Sequence, residues 1–236
     1  MTTNRQRQYG FTLVELTIAL AFLSILLIAI LSLTLAAGKL YIKGTTNKSI
    51  NQSGREIQDI VRRDFLAADA SAIGNVLTEG DPARGITGRV CLGKVTYLWN
   101  TADILNDISA NGSTYRIRLS GAPIRFARVV DTNADLCIPN MSGRLPTTLP
   151  ADRTTELLGG DGRDFSLYDV SLLVLSTRDT RGMYEMKYTI GTNDQGTVED
   201  TDGYVRCKPN SSSTANFDYC SVTDFDMVLR VEGGVK

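Results

Sequence analysis

The sequence contains no histidine, and this absence narrows the chemistry open to the chain. A Ser-His-Asp triad and a Cys-His nucleophile both need an imidazole to move the proton. Zinc sites that mix cysteine with histidine are excluded too, and the four cysteines include no C-x-x-C pair. No pair of carboxylates stands out either. We therefore expect no enzymatic activity, no bound metal and no cofactor.

Charge is missing from residues 11–37 with one exception, Glu15. As a helix this segment would be about 40 Å long. Its 27 residues exceed the about 20 that a helix needs to cross a bilayer. The pattern predicts one transmembrane helix. A carboxylate in such a helix costs about 2.5–3.5 kcal/mol at the bilayer centre and less near the interface. Glu15 therefore needs a partner or a function.

One explanation of Glu15 is local. Thr12 and Glu15 form the pattern T-x-x-E, a capping box in which Thr12 caps the helix and the carboxylate accepts the Thr12 N–H. Residues 1–10 favour a second explanation, because they are polar and basic, include no acid and end in Gly10. They are typical of a targeting leader with a small residue at its cut site. An ordinary secretory signal is cut after its apolar region, whereas here the small residue lies before it.

The sequence across this junction is Gly10-Phe11-Thr12-Leu13-Val14-Glu15, followed by Leu16-Thr17-Ile18-Ala19-Leu20. It resembles the class III signal of bacterial type IV pilins and type II secretion pseudopilins. The resemblance implies that Gly10 and Phe11 form the scissile pair of a prepilin peptidase/N-methyltransferase, which also methylates the new N-terminal Phe11. It further implies that Glu15 pairs with the N-terminal ammonium of a neighbouring subunit. A carboxylate and an ammonium that are each costly to bury alone then satisfy one another.

The resemblance also implies the location and partners of the chain. It places the protein in the cytoplasmic (inner) membrane as a single-pass protein with its C-terminal domain outside, in contact with lipid and an inner-membrane assembly platform. Other pilin subunits then draw it into a helical filament, an extracellular pilus or a periplasmic pseudopilus. Orientation depends on the resemblance alone, because Lys39, Lys43 and Lys48 follow the helix and oppose a positive-inside bias.

The four cysteines all follow residue 72. An even number in an exported domain suits disulfide bonds in an oxidising compartment, and four cysteines allow three pairings. The favoured pairing is Cys91 with Cys137 and Cys207 with Cys220, of which the second closes a Ser-rich loop near the C-terminus as in many pilins. Four reduced, buried cysteines are the alternative.

The first proline is Pro82, so no proline interrupts a helix from Phe11 to about Ala72, although Gly38 and Gly44 are possible kink points. The second half of this helix carries an apolar stripe suited to packing on a sheet: Ile50, Ile57, Val61, Phe65 and Ala68. From residue 86 onward the chain has short β-rich runs separated by turn residues, which predict an α+β fold with an antiparallel sheet on the helix. The predicted strands are 90–99, 114–119, 124–130, 166–176, 183–190 and 226–231.

The expected organisation is a leader at 1–10, a transmembrane helix at 11–37, its amphipathic continuation at 38–72 and an exported β-rich domain at 73–236. The acidic loop 194–202 is interpreted as a solvated turn, with a calcium site, as in some pseudopilins, as the alternative. A structural fibre subunit is therefore expected. Its roughly 160-residue domain is larger than a typical major pilin needs, so the resemblance favours a minor pilin or a J-class pseudopilin. The alternative is a membrane-anchored binding or sensor domain with no filament role.

Overall fold

The computed structural model describes residues 12–159, 164–178, 181–194, 196–201, 204–209, 211–213 and 219–232. The helices are α1 (Leu13–Ala67), α2 (Ala102–Asn106) and α3 (Ala110–Tyr115), with 3-10 turns at Ala70–Ala72 and Asp135–Cys137. The strands are β1 (Leu77–Asp81), β2 (Gly85–Cys91), β3 (Val95–Asn100), β4 (Arg118–Leu119), β5 (Ala122–Pro123), β6 (Phe126–Val130), β7 (Thr148–Leu149), β8 (Thr154–Glu156), β9 (Phe165–Arg178), β10 (Arg181–Thr192), β11 (Val198–Thr201), β12 (Tyr204–Cys207) and β13 (Val222–Val231). The chain forms two compact units, Met1–Ile42 and Lys43–Lys236.

Helix α1 is long, as the absence of proline predicts, and both Gly38 and Gly44 lie within its bounds. It ends at Ala67, short of the predicted end near Ala72. The reason is Asp69, whose carboxylate accepts the Ser71 N–H at 3.0 Å. A short acidic side chain that bonds the backbone two residues ahead favours a new turn over continuation of a helix. The chain therefore enters a separate 3-10 turn.

The second half of α1 packs against two antiparallel sheets. One has five strands in the order β1-β2-β3-β6-β8, and the other has three in the order β13-β10-β9. The predicted stripe is buried at every position, and Ile50 and Val61 are fully inaccessible. Its residues share a core with Tyr97 and Trp99 of the first sheet and with Tyr188 of the second. The predicted α+β class with an antiparallel sheet on the helix is confirmed.

A smaller core lies on the opposite face of the five-stranded sheet. Leu98, Ala127 and Val129 alternate along their strands with residues of the main core, so they face the other way. The short strands β5, β4 and β7 form a small sheet in which β4 and β7 run parallel. This second core holds the loop region 131–149 against the sheet.

The strands predicted at 166–176, 183–190 and 226–231 are confirmed as parts of β9, β10 and β13. The run 90–99, by contrast, is two strands rather than one. Leu92 donates its N–H to Val95 O at 2.8 Å, and Gly93 between them has φ 84°. Residues other than glycine rarely adopt that conformation. A single glycine therefore divides an apolar run into a hairpin.

The strand predicted at 114–119 is wrong, because α3 continues to Tyr115 and only Arg118–Leu119 is extended. Asn100 is the cause. Its fully buried side chain accepts the Ile117 N–H at 2.9 Å and donates to Ile117 O at 2.9 Å. Ile117 O also accepts the Ile124 N–H at 3.1 Å, so the Asn100 amide and one backbone N–H together satisfy the backbone of Ile117. Ile117 is buried without belonging to a strand.

An acid–base cluster that the sequence analysis did not identify fixes the helix to the five-stranded sheet. The Asp64 carboxylate receives both Arg128 Nε at 2.6 Å and Arg128 Nη2 at 2.9 Å, and Tyr97 donates its hydroxyl at 2.5 Å. Burial, and then the hydrogen bond to Asp64, raise the pKa of Tyr97 above its ordinary value. The phenol therefore stays protonated and remains a donor to Asp64 across the neutral range.

Gly54 lies where α1 packs tightly against the three-stranded sheet. A Cβ there would overlap the Phe225 ring, and the Tyr188 hydroxyl donates to Gly54 O at 2.8 Å. Alanine normally stabilises a helix by ~1 kcal/mol relative to glycine. At this position forced overlap costs about 1–3 kcal/mol and outweighs that gain. We therefore expect Gly54→Ala to lower the free energy of unfolding.

Gly44→Ala is the matched control, because Gly44 lies in the same helix and a Cβ there would meet nothing within 4 Å. This change should raise stability by up to ~1 kcal/mol. Urea unfolding of the full chain in detergent reports both, through the fluorescence of Trp99, the single tryptophan, which is 1% exposed. Shifts of the same sign for the two variants would contradict the contact.

Candidate functional site at the N-terminal helix

Glu15 closes the first turn of α1. The Thr12 N–H and the Thr12 hydroxyl each donate to Glu15 Oε2 at 2.9 Å, and the Glu15 N–H donates back to Thr12 Oγ1 at 3.2 Å. This is the reciprocal capping box predicted from the pattern T-x-x-E. The acid also lies where the helix dipole favours negative charge. The local explanation of Glu15 is therefore present in the structure.

The other polar side chains of the apolar segment are satisfied within the helix. Thr17, Ser24 and Ser32 donate their hydroxyls to carbonyls three or four residues earlier at 2.8–2.9 Å, and Thr34 does the same at 2.5 Å. Such bonds allow hydroxyls to enter lipid at little cost. Glu15 is thus the only ionisable side chain of residues 12–37.

The capping box leaves part of the carboxylate available. Both hydrogen bonds from Thr12 go to Oε2, and no residue of the described part of the chain donates to Glu15 Oε1. An ionised carboxylate has about four acceptor sites on two oxygens. Capping and pairing with a second cation are therefore compatible, and the same side chain can do both.

Glu15 sits at the end of an apolar surface along one side of the helix. It lines a shallow recess with five apolar residues at spacings of three or four: Ile18, Ala19, Phe22, Leu23 and Leu26. Every described side chain from Thr12 to Tyr41 is exposed, Leu13 to 79% and Phe22 to 72%. Helix α1 is long and apolar enough to cross a membrane by length and composition. Lipid or another apolar helix suits such a surface.

Two of the predicted site residues, Gly10 and Phe11, lie outside the described residues. The cysteines lie in the larger unit, where Cys91 bonds Cys137 and Cys207 bonds Cys220. This is the pairing favoured in the sequence analysis over four reduced cysteines. The first bond ties β2 to the 3-10 turn at Asp135–Cys137. The second closes a loop between β12 and β13, near the C-terminal end of the domain.

In the described part of the acidic loop, two of the acidic side chains bond to nearby residues. The Asp194 carboxylate accepts the Gly196 N–H at 3.0 Å, and Glu199 pairs with Arg206 at 2.8 Å. Asp202 lies outside the described residues. Within the described part of the chain, no three cysteine, aspartate or glutamate side chains are grouped to hold a metal ion. Val198–Thr201 form strand β11, so the interpretation of 194–202 as a solvated turn is wrong for that part of the segment.

A buried cation was also missed by the sequence analysis. Arg89 is 1% exposed and donates to Leu136 O at 2.5 Å and Pro146 O at 3.1 Å, with Glu79 Oε2 at 3.9 Å. Burial lowers the pKa of Arg89 to about 10, so the guanidinium is still charged at neutral pH. It anchors the loop that carries Cys137, and so it acts as a structural residue.

Comparison with known proteins agrees with this assignment of the N-terminal segment. Residues 5–36 match the family model described as the prokaryotic N-terminal methylation motif. The chain therefore carries the type IV pilin signal, followed by a long apolar helix. Searches of curated proteins and of solved structures found no match. The motif implies processing by a prepilin peptidase and assembly with other pilins.

Proposed function

We propose that this protein is a structural subunit of a type IV pilus or a type II secretion-like filament. The observation that carries the proposal is the coincidence of the methylation motif with a single capped acid at the start of the apolar helix. In the proposed organisation residues 1–10 are a leader, 11–37 cross the inner membrane and 73–236 form the exported domain. Processing exposes the Phe11 amine, and the helix then leaves lipid for a bundle of neighbouring helices.

The energetics of Glu15 support assembly through the helix. A carboxylate in a helix bundle without a cation is strongly unfavourable, and an unpaired ammonium is equally so. Pairing Glu15 Oε1 with the Phe11 ammonium of the next subunit offsets both costs. Because only one axial offset brings the two charges together, the pair also selects one register between neighbouring helices.

The size of the exported domain favours a minor pilin or a pseudopilin over a major pilin. In the described residues four sheets of five, three, three and two strands follow the helix, and two disulfide bonds stabilise the domain. The resemblance places larger J-class pseudopilins at or near the fibre tip. Since the tip-most pseudopilin commonly lacks the glutamate, the presence of Glu15 argues against that one position.

A membrane-anchored binding or sensor domain is the second candidate. It accounts for the apolar helix and for the exported disulfide-bonded domain. It leaves the Gly10-Phe11 junction without a purpose and Glu15 with capping alone. The fibre subunit accounts for all of these features, and we therefore favour it.

The N-terminus of the protein isolated from its native membrane tests the proposal. Intact mass and peptide sequencing should find a chain that begins at Phe11 and carries one added methyl group. A chain that begins at Met1 or Thr2, or one cut after residue 37, would contradict the proposal and favour the anchored domain.

A further inference from the structure

Side chains of the five-stranded sheet hold the backbone of the loop that follows β6. Arg89 of β2 donates through Nη1 to Leu136 O at 2.5 Å and to Pro146 O at 3.1 Å. Glu79 of β1 accepts the Leu145 N–H through Oε1 at 3.0 Å. Hydrogen bonds in which one partner is ionised are roughly twice as strong as those between neutral groups. These contacts fasten the loop to the sheet independently of any disulfide bond.

The backbone of Leu136 is held at both its N–H and its C=O. The buried Asp131 carboxylate accepts the Leu136 N–H through Oδ2 at 3.0 Å, while Arg89 donates to Leu136 O. Asp131 Oδ2 also accepts the Thr96 hydroxyl at 3.1 Å, which connects this carboxylate to β3. Cys137 is the next residue of the chain. Its position therefore follows from hydrogen bonds to the residue before it.

The sheet presents the second cysteine at the same place. Arg89 and Cys91 are two positions apart in β2, so their side chains leave the same face of the strand. In the antiparallel register Thr96 is the residue opposite Cys91, and its hydroxyl lies 3.8 Å from Cys137 Sγ. The contacts that hold the loop thus lie on either side of Cys91.

The turn before Cys137 needs such contacts, because its backbone is in an unfavourable conformation. Ala134 has φ 56° and ψ 30°, in the left-handed region that residues with a Cβ rarely adopt. Asp131 stabilises this turn, since its backbone O accepts the Ala134 N–H at 3.0 Å and its Oδ1 accepts the Asp135 N–H at 3.1 Å. Arg89 adds a contact from the sheet. Conformations of this kind persist where the surrounding structure imposes them.

We propose that Arg89 is a positioning residue for the bond between Cys91 and Cys137. It closes the loop over the sheet while the cysteines are still reduced, and so it selects one of the three possible pairings. A buried guanidinium is costly unless hydrogen bonds satisfy it, and the loop carbonyls provide those bonds only in the closed position. The disulfide then forms in a loop that is already closed. This proposal is independent of whether the chain enters a fibre.

Oxidation by glutathione disulfide depends on this positioning at its second step. One cysteine thiolate first attacks a glutathione sulfur, which forms a mixed disulfide and releases one glutathione thiolate. The other cysteine thiolate then attacks the protein sulfur of the mixed disulfide and releases the second glutathione thiolate. The two cysteine sulfurs are oxidised, glutathione disulfide is reduced, and the two protons lost by the cysteines pass to the released thiolates. Only the second attack requires the two cysteines to be close together.

Hydrogen exchange in a chain without this disulfide tests whether the loop closes before oxidation. The full chain with Cys91→Ser and Cys137→Ser, in detergent, should keep slow exchange at the Leu136 and Leu145 amides, which both donate to carboxylates. Adding Arg89→Met removes two hydrogen bonds to a charged group and should speed exchange of these amides about ten-fold or more.

Arg84→Met is the matched control in the same cysteine-free background. Arg84 follows β1 in the chain, and its exposed side chain contacts Asp81 at 3.9 Å. An exposed ion pair of this kind contributes little to stability. The substitution removes the same type of side chain next to the same strands, and it should leave exchange of the loop amides unchanged.

Oxidation equilibria in glutathione buffers provide the second arm, in the full chain with all four cysteines. Non-reducing peptide mapping after alkylation reads both bonds in one molecule. Arg89→Met should lower the equilibrium constant for the bond between Cys91 and Cys137 about ten-fold and leave that between Cys207 and Cys220 unchanged. Arg89→Lys keeps the charge but not the planar fork of donors, so its constant should lie between those of Arg89→Met and wild type.

Three results would overturn the proposal. The first is unprotected exchange of the loop amides in the chain with Cys91→Ser and Cys137→Ser, because the disulfide would then hold the loop. This result needs no change at Arg89, so it does not depend on whether Arg89→Met folds. The second is an equal loss of both disulfides in Arg89→Lys, which would indicate a general loss of stability. The third is an unchanged constant for Cys91 and Cys137 in Arg89→Met.

Discussion

Gly10→Val should leave the chain uncut, so that protein from the membrane keeps Met1 or Thr2 at its start instead of Phe11. A peptidase that cuts between Gly10 and Phe11 must bring the backbone of residue 10 close to its own reacting groups. Glycine allows that approach because it has no side chain. A β-branched residue adds bulk next to the scissile carbonyl and is stiff at χ1. The expected effect is a loss of more than nine tenths of the processed form, measured by intact mass.

Two controls separate a block at the junction from a general defect in insertion. Gly10→Ala adds only one methyl group and should retain most of the cleavage. Gly38→Val makes the same substitution within α1, where a Cβ would meet nothing within 4 Å, and should be cut normally. If Gly10→Val protein carries the same N-terminus as wild type, then residue 10 does not define the cut site and the leader assignment fails.

Much of the fold could be predicted from the periodic spacing of apolar residues and from the absence of proline before Pro82. The absence of proline before Pro82 and the stripe from Ile50 to Phe65 predicted a long helix with one buried side, and both are present. β-rich runs bounded by turn residues predicted parts of the long strands β9, β10 and β13, each of which has ten or more residues. Such patterns repeat over many residues, so one irregular residue does not hide the helix or the strand.

The features that the sequence did not predict depend on single contacts between distant residues. The Asn100 side chain bonds the backbone of Ile117, and the Phe225 ring leaves no room for a Cβ at Gly54. Asp64 lies among charged residues of α1 that suggest a solvated surface, yet it binds Arg128, 64 positions along the chain. A local pattern carries no information on such partners. The contact between Thr12 and Glu15 is different, because the two residues are only three positions apart and the pattern T-x-x-E predicted it.

Glu15→Gln is expected to block incorporation into filaments while insertion and cleavage continue. The glutamine carbonyl can still accept the Thr12 N–H and hydroxyl, so the capping box survives, whereas the charge that would meet a Phe11 ammonium is lost. Removing one partner of a buried ion pair costs about 3–5 kcal/mol, a factor of 100 or more in affinity. The measurement is the fraction of processed protein recovered with sheared filaments relative to the membrane, which should fall at least ten-fold. Glu15→Ala should fall at least as far.

Thr12→Val gives the opposite test, because it removes the hydroxyl that makes two of the three capping hydrogen bonds and leaves the carboxylate in place. Loss of a cap costs only ~1 kcal/mol. If Glu15 serves assembly through its charge, Thr12→Val protein enters filaments at close to the wild-type level. If Glu15 is a helix cap and nothing more, Thr12→Val should impair incorporation as much as Glu15→Ala, and Glu15→Gln should be nearly normal. Because Thr12 lies two residues from the cut site, intact mass must first establish that each variant begins at Phe11. The two substitutions thus assign the single acid of the apolar segment to one role or the other.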